Sequence, residues 1–465
     1  MKKLSTLFLM AFVALTISAQ QATLTEVWHN STRSTATDLG GTFLEGSAPS
    51  WMGSTTERGM VMANGKMYVA SRNGDNNILV LDGATGNLLQ TLALPADPVS
   101  GGVFAVNSID ATASGNLIIG NLAGNTQSTD EVSGDPNGHF KAYYVELNAS
   151  KDGIVNVTNI VNWHNVGDTD NPGFRMGDGI AFYGDMEAGT TGYLVVAPAG
   201  TNYIVRWNFN EGAATTTDIF KVKDVDGTPV NFATAPQLEP VSNDLVIVDG
   251  NNMFPIAYDM SSADATALET VASFSGAVTP QTSNLNGVAY FEFKGRYFMV
   301  CVTNYWNDGI VGVPINSFEA FEFTDGDWAQ ATSLGFLPAD GLSATTATKN
   351  VSFAYPCAAE VLADKVMIGV LSANMGAAVY ELTISEATAI GDTEESTVDM
   401  YPNPATDYLK FTAEMAEVQV YDLAGKLVKK AYSVKEISVA DLGGIYLVKG
   451  IDAKGNGFNK KLIVK

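Results

Sequence analysis

The feature that most constrains this chain is a recurrence of short apolar strands between Arg58 and Ser385. Lys66–Leu94 reads KMYVASRNGDNNILVLDGATGNLLQTLAL: an apolar strand, an Asn/Gly loop, an alternating strand, an Asp-Gly turn and a further strand. With the preceding RGMVMANG this makes four strands in about 37 residues, the size of one propeller blade. Comparable units align beneath it. Inner-strand starts fall at Arg58, Asp178 and Asn286, with weaker matches at Asn107, Gln237 and Asn350, and the second strands follow as KMYVAS, NLIIGN, GYLVVA, DLVIVD, RYFMVCVTN and KVMIGVLSAN. Six units of about 55 residues fill the region. A recurrence of this kind marks a repeat architecture, and four strands per unit point to a propeller. The expected fold is therefore an all-β, six-bladed β-propeller. Seven blades is the alternative if the stretch from Arg296 to Ala339 hides an extra one.

The sixth unit stops after its third strand, at Ile384, whereas Leu24–Asn30 (LTEVWHN) is an orphan outer-type strand near the other terminus. Joining the two completes one blade and removes an exposed sheet edge. Trp28 is then read as core of that blade.

Both ends carry delivery signals. Lys2 and Lys3 precede an apolar run from Leu4 to Ile17, followed by small or polar residues 18–20, the order of a secretory signal with cleavage after Ala19 or Gln20. The run is too short to span about 30 Å of hydrocarbon, so no transmembrane helix is expected, and no Cys follows it to take a lipid anchor. At the other end residues 386–397 (EATAIGDTEEST) read as a linker. Charge then changes sign: residues 398–465 hold 10 Lys and 8 Asp+Glu, in a chain whose net charge is −24. The domain plan is a signal peptide at 1–20, a propeller at 21–385, the linker at 386–397 and a sorting domain at 398–465. The tail's short strands and Gly-rich turns describe a small antiparallel β-sandwich.

Three resemblances follow from these residues. Met67–Ala70 and Leu81–Gly86 resemble YVTN-type blades of secreted bacterial propellers. Ala48–Trp51, Arg58-Gly59 and Val69–Arg72 resemble an uncharacterised family of exported Bacteroidota propellers, which implies a fold and no activity. The tail resembles the type A C-terminal sorting domain of the type IX secretion system. The match runs through Tyr401, Pro402, Asn403 and Pro404, then VYDLAGK with Asp422, Gly425 and Lys426, then LGGIYLV with Gly444 and Tyr446, and finally KKLIVK with Lys461. This implies passage through both membranes, the type IX machinery as partner, and release or anchoring at the outer surface of the outer membrane, commonly with tail removal.

Chemistry is sparse. The acidic balance makes nucleic acid an unsuitable partner, since phosphate binding depends on Lys and Arg. His29, His139 and His164 lack zinc-motif spacing. Cys301 and Cys357 stand on apolar stretches, either as buried thiols or as a pair. Asp168–Asn171 and Asp224–Gly227 offer alternating oxygens, so calcium is the single cofactor with candidate ligands, although neither loop has the distal bidentate Glu. No phosphate loop or nucleophile elbow appears, and most of the 50 acidic residues are read as solvation. Nothing specifies an oligomeric state.

Propeller geometry gathers one set of loops around the channel mouth. The set comprises Arg72, Asn73, Asn121, Asn202, Tyr203, Asn251, Asn252, Asn304, Tyr305, Trp306 and Asn374 from one group of loops and Trp51, Phe104, Phe174, Arg175 and Asn284 from the other, with Arg58, Asn107, Asp178, Gln237 and Asn286 at the inner-strand starts. Amides supply donors and acceptors to hydroxyls and aromatic rings a flat apolar surface, which suits a glycan or another extracellular polymer. Asn and Gly also favour tight turns whatever a loop does. The favoured function is a non-catalytic binding or adhesion protein; the alternatives are a polysaccharide-degrading hydrolase or lyase and a structural spacer of the surface layer.

Overall fold

The computed structural model describes residues 21–33, 48–124, 138–164, 175–222, 232, 235–250, 253–261, 270–274, 287–304, 314, 316–343, 356–385, 398–422, 426–453 and 457–465. The signal segment, the linker and both candidate calcium loops lie outside them. The chain divides into two compact units, Gln21–Ile384 and one containing Ser385–Lys465.

The larger unit is all-β and propeller-like, built of four-stranded antiparallel sheets. After β1 (Ala22–Ser31), the first sheet is β2 (Glu57–Ala63), β3 (Lys66–Ser71), β4 (Asn77–Asp82) and β5 (Leu88–Ala93). The second is β6 (Phe104–Ala111), β7 (Leu117–Leu122), β8 (Phe140–Leu147) and β9 (Ile154–Trp163), and the third β10 (Ala181–Gly184), β11 (Thr191–Val196), β12 (Tyr203–Asn210) and β13 (Ala213–Lys221). The fourth is β14 (Gln237–Pro240), β15 (Leu245–Gly250), β16 (Met253–Asp259) and β17 (Thr270–Ser273). The fifth is β18 (Val288–Phe293), β19 (Arg296–Asn304), β20 (Ser317–Phe323) and β21 (Ala331–Leu337); the stretch that left room for a further unit supplies its last three strands. The sixth sheet joins β22 (Cys357–Val361), β23 (Val366–Ser372) and β24 (Gly376–Ile384) to β1, in the order β1-β24-β23-β22. Its inner strand starts at Cys357, a correction to the expected start at Asn350, which lies outside the described residues.

The middle strands of these sheets are buried on both faces, and this explains their near-continuous apolar runs. Along β3, Met67 and Val69 join one core cluster with Trp28, Met367 and Val379. Tyr68 and Ala70, pointing the other way, join a second with Val106, Ile119 and Tyr143. The same division recurs from sheet to sheet. Ile118 packs with Leu194 and Trp207, Val195 with Val246 and Tyr258, Ile247 with Met299 and Phe321, and Val300 with Ile368 and Tyr380. The first strands touch in the order β2, β6, β10, β14, β18, β22, and β22 touches β2.

β1 runs antiparallel to β24 from Ala22↔Ile384 to Ser31↔Gly376. Trp28 is 4% exposed and donates its indole N–H to Gly83 O at 2.9 Å, so it ties β1 to the first sheet. Gly86 lies beneath that ring, and a Cβ there would stand 2.7 Å from it.

The smaller unit corrects the sandwich expectation. It is a single five-stranded sheet of β25 (Met400–Tyr401), β26 (Tyr408–Tyr421), β27 (Leu427–Ser438), β28 (Gly444–Asp452) and β29 (Gly457–Val464). β26 pairs with both β27 and β28, and the sheet curls around one core that includes Phe411, Met415, Val418, Val448 and Phe458. One curled sheet gathers its alternate residues inward, so no second sheet is needed to cover them.

Candidate ligand-binding face and axial channel

The inner-strand starts and the ends of the second strands build the candidate face. On the first sheet the β2–β3 register slips between Glu57 and Gly59, leaving Arg58 as the extra residue of a bulge, a device that re-aims a side chain. Arg58 is 8% exposed. Arg72 follows β3, donates from Nη2 to Thr55 O at 3.1 Å, and lies over the Phe104 ring with its guanidinium carbon 3.6 Å from the centroid. Burial, and after it the charge of Arg58, pushes Arg72 down to about 10. Glu57, fully buried, accepts from Gly53 N, Thr56 Oγ1 and Ser71 Oγ. Asn73 is exposed beside them, its amide reaching Trp51 O at 3.5 Å.

Around the channel, Arg175 grips Asp178 with Nε–Oδ2 at 2.7 Å and Nη2–Oδ1 at 2.5 Å, and this bond raises the guanidinium further. Gln237 donates to Asp178 O at 3.4 Å and Asn107 to Gly177 O at 2.9 Å, each linking neighbouring sheets. Asn202 donates to Val222 O at 3.4 Å. Asn304 ends β19. Phe174, Asn251, Asn286 and Trp306 lie outside the described residues.

Trp51 is a correction. It is 9% exposed, packed with Met52, Met60 and Met62, and offers no open ring. The exposed aromatic at this place is Phe104, 41% exposed next to Val103 at 49%.

Carboxyl groups were undervalued in the sequence. The axial channel, about 50 Å³, is lined in part by Ser108, Asp110, Asp178, Gln237, Glu239 and Cys357. Asp110 accepts from Phe182 N at 2.6 Å and is pushed by burial to about 7. Burial first, and then Asp110, pushes Glu239 well above the ordinary range. Asp249, fully buried, accepts from Gly287 N at 3.1 Å and rises to about 8. These acids are structural inter-sheet acceptors and not solvation; the signal was a carboxyl inside an apolar run, as in SIDA and LVIVDG. A liquid water occupies about 30 Å³, whereas ligand pockets run to roughly 300–1,000 Å³, so the channel admits water and excludes a sugar.

Cys301 and Cys357 are free, buried thiols, both pushed well up by burial. They belong to different clusters, on opposite faces of the fifth sheet. His29 is buried and bonds Ser31 Oγ at 2.6 Å. His139 and His164 stack at 4.6 Å, brought together by the Phe140↔Trp163 pairing of β8 and β9. Among the described residues no three His, Cys, Asp or Glu side chains gather to hold a metal, and no helix is long and apolar enough to cross a membrane.

In the tail, Asn403 fastens its segment to β29 by donating to Lys461 O at 2.7 Å and accepting from Ile463 N at 2.9 Å. Tyr401 is half exposed beside Pro402, and Ala405, after Pro404, donates from N to Ile463 O at 2.8 Å. Asp422 accepts from Lys426 N at 2.9 Å, and Gly425 lies outside the described residues. Gly444 adopts φ +117, and the Tyr446 hydroxyl closes back on Gly443. The motif residues thus fix turns and the closing edge of the sheet.

With these positions in hand, residues 399–465 match the family described as "Secretion system C-terminal sorting domain". The chain is therefore a cargo of type IX secretion, delivered to the cell surface or released. No curated protein matches the chain. Among solved structures, a DUF4623 family protein from Bacteroides eggerthii is 14% identical with TM-score 0.52, over 72% of each chain, a likeness of fold. The soluble aldose sugar dehydrogenase of Escherichia coli is 9% identical with TM-score 0.40, over 78% of this chain and 99% of that one.

Proposed function

We propose that the six sheets are six blades of a propeller closed by β1, preceded by a signal at 1–20, joined by the linker at 386–397 to the sorting domain, and serving as a non-catalytic glycan-binding protein at the outer surface. The observation that carries this reading is the mouth of the first two sheets, where the Phe104 ring, 41% exposed with one face covered by the Arg72 guanidinium, and the exposed Asn73 amide share one place. A flat apolar ring beside amide and guanidinium donors suits a pyranose, whose ring face is apolar and whose rim is hydroxyl. The channel speaks against the hydrolase or lyase alternative: Asp110 and Glu239 have the raised proton affinity of an acid–base pair but no room for a polymer. A featureless mouth would suit the spacer alternative, and this mouth is not featureless.

The test is a glycan array probed with wild-type protein and Phe104→Ala. Retention on at least one glycan is expected, reduced about tenfold or more in the variant with its melting temperature intact, in line with a lost aromatic contact. No retention of the wild type on any glycan would overturn the reading.

A further inference from the structure

The end of the second sheet that holds Phe104 carries further rings. Phe104 pairs with Leu122 and Phe140 with Trp163, so these positions share one end of the sheet. Phe140 and Trp163 both turn to Trp207 of the third sheet, with ring centroids 5.4 and 5.8 Å from it. Alternation therefore turns the residues that flank them, His139 and His164, to the other side. There the two half-buried imidazoles stack, centroids 4.6 Å apart and planes within 2° of parallel. Phe104 meets Arg72 of the first sheet and so lies on that same side. Val103 fills the interval: it is 49% exposed, its N donates to Leu122 O at 2.7 Å, and its Cγ2 stands 3.0 Å from where a Cβ of Gly124 would be. Phe104, Val103 and the imidazole pair thus cross the sheet in strand order, from β6 past the end of β7 to β8 and β9.

We propose that this strip binds an uncharged linear glycan of about four sugar units, with Phe104 against one unit and the His139–His164 stack against another. Neighbouring strands lie about 4.8 Å apart, so a strip that crosses four of them spans about 14 Å, more than a single pyranose covers. Flat rings meet the apolar faces of sugars, and the groups beside them address hydroxyls without a fixed charge. Asn73 is exposed near Phe104, and Asn162 is exposed beside the stack. Asn162 Oδ1 accepts from His139 Nδ1 at 2.9 Å, which leaves the neutral ring with Nε2 as an acceptor and the amide with its N–H groups as donors. The second platform is held from behind: Asn121, fully buried, donates from Nδ2 to His139 O and accepts from Lys141 N, each at 2.9 Å. The strip deepens the glycan-binding reading and rests on it, adding a second platform and a length requirement.

The experiment measures, by calorimetry on the full chain, binding of uncharged oligosaccharide ladders of one to six units cut from cellulose, xylan and mannan. The wild type is expected to bind at least one ladder, with affinity rising about tenfold or more between two units and four and levelling off beyond, as a second ring contact is gained. Phe104→Ala and His164→Ala each leave one platform, so each is expected to flatten that rise to within about twofold. A wild-type affinity independent of length, or a rise unchanged in His164→Ala, would overturn the strip while leaving the glycan reading intact. Retention of the wild type on the glycan array without binding of any of the three ladders would do the same. A wild type that binds no glycan on the array would overturn both. Because a flat wild-type profile is decisive alone, the test survives a variant that fails to fold.

Discussion

Asp249 is expected to make the folded protein lose stability as the pH rises, and Asp249→Asn to remove that loss. The carboxyl ends β15 with no exposed surface, one hydrogen bond from Gly287 N, and Oδ1 without a hydrogen-bond partner among the described residues. Burial dominates, so the folded state keeps the proton up to about pH 8, whereas the ordinary value is 3.8. Because the folded-state value is the higher one, the contribution is fully present below pH 3.8 and is lost as pH climbs through about 8. At 1.36 kcal/mol per pH unit the whole interval is worth roughly 6 kcal/mol, of which roughly 4 falls between pH 5 and pH 9. An amide is isosteric with the protonated acid and does not titrate. Urea unfolding of the full chain at pH 5 and pH 9 reads the difference. Asp249→Asn should be near neutral at pH 5 and more stable than the wild type by about 2–4 kcal/mol at pH 9. Asp110 and Glu239 act in the same direction, but they are common to both proteins and cancel in the comparison. Parallel pH profiles for the two proteins would refute the reasoning.

Trp28→Ala should cost about 3–5 kcal/mol, since it removes a buried ring and leaves Gly83 O without its donor. A urea midpoint unchanged by that substitution would mean that β1 contributes little to the unit. Deleting residues 398–465 should leave a folded body inside the periplasm, shielded from protease added to intact cells; continued surface digestion of the truncated protein would show that another segment directs export.

Much of the body was legible because a strand buried on both faces has to be apolar at successive positions, and KMYVAS, NLIIGN and KVMIGVLS are such strings. The orphan strand at Leu24–Asn30 was legible for the same reason that an unpaired edge is unfavourable. The tail was legible residue by residue because its motif positions set turns: Asn403, Gly444 and Tyr446 each satisfy backbone geometry that other residue types would not. Burial of a loop aromatic was not legible. Trp51 stands in a Pro/Ser/Gly context that reads as surface, and only the Met52, Met60 and Met62 side chains assembled around it make it core.

The candidate site was legible as a face, since loop geometry puts Arg72, Asn73 and Phe104 on one side, but not as a contact. Arg72 and Phe104 are 32 positions apart, on different sheets, and neither periodicity nor motif spacing relates them. They meet because Arg72 leaves the end of β3 while the Gly101-Gly102 turn brings in β6 at the same height. Arg58 could be aligned with other inner-strand starts, but the bulge it occupies between Glu57 and Gly59 could not be read. A bulge leaves no mark in the apolar period. The residues that give the body its shape are thus written in a repeat, whereas the contact between Arg72 and Phe104 is made by the ends of strands in successive units.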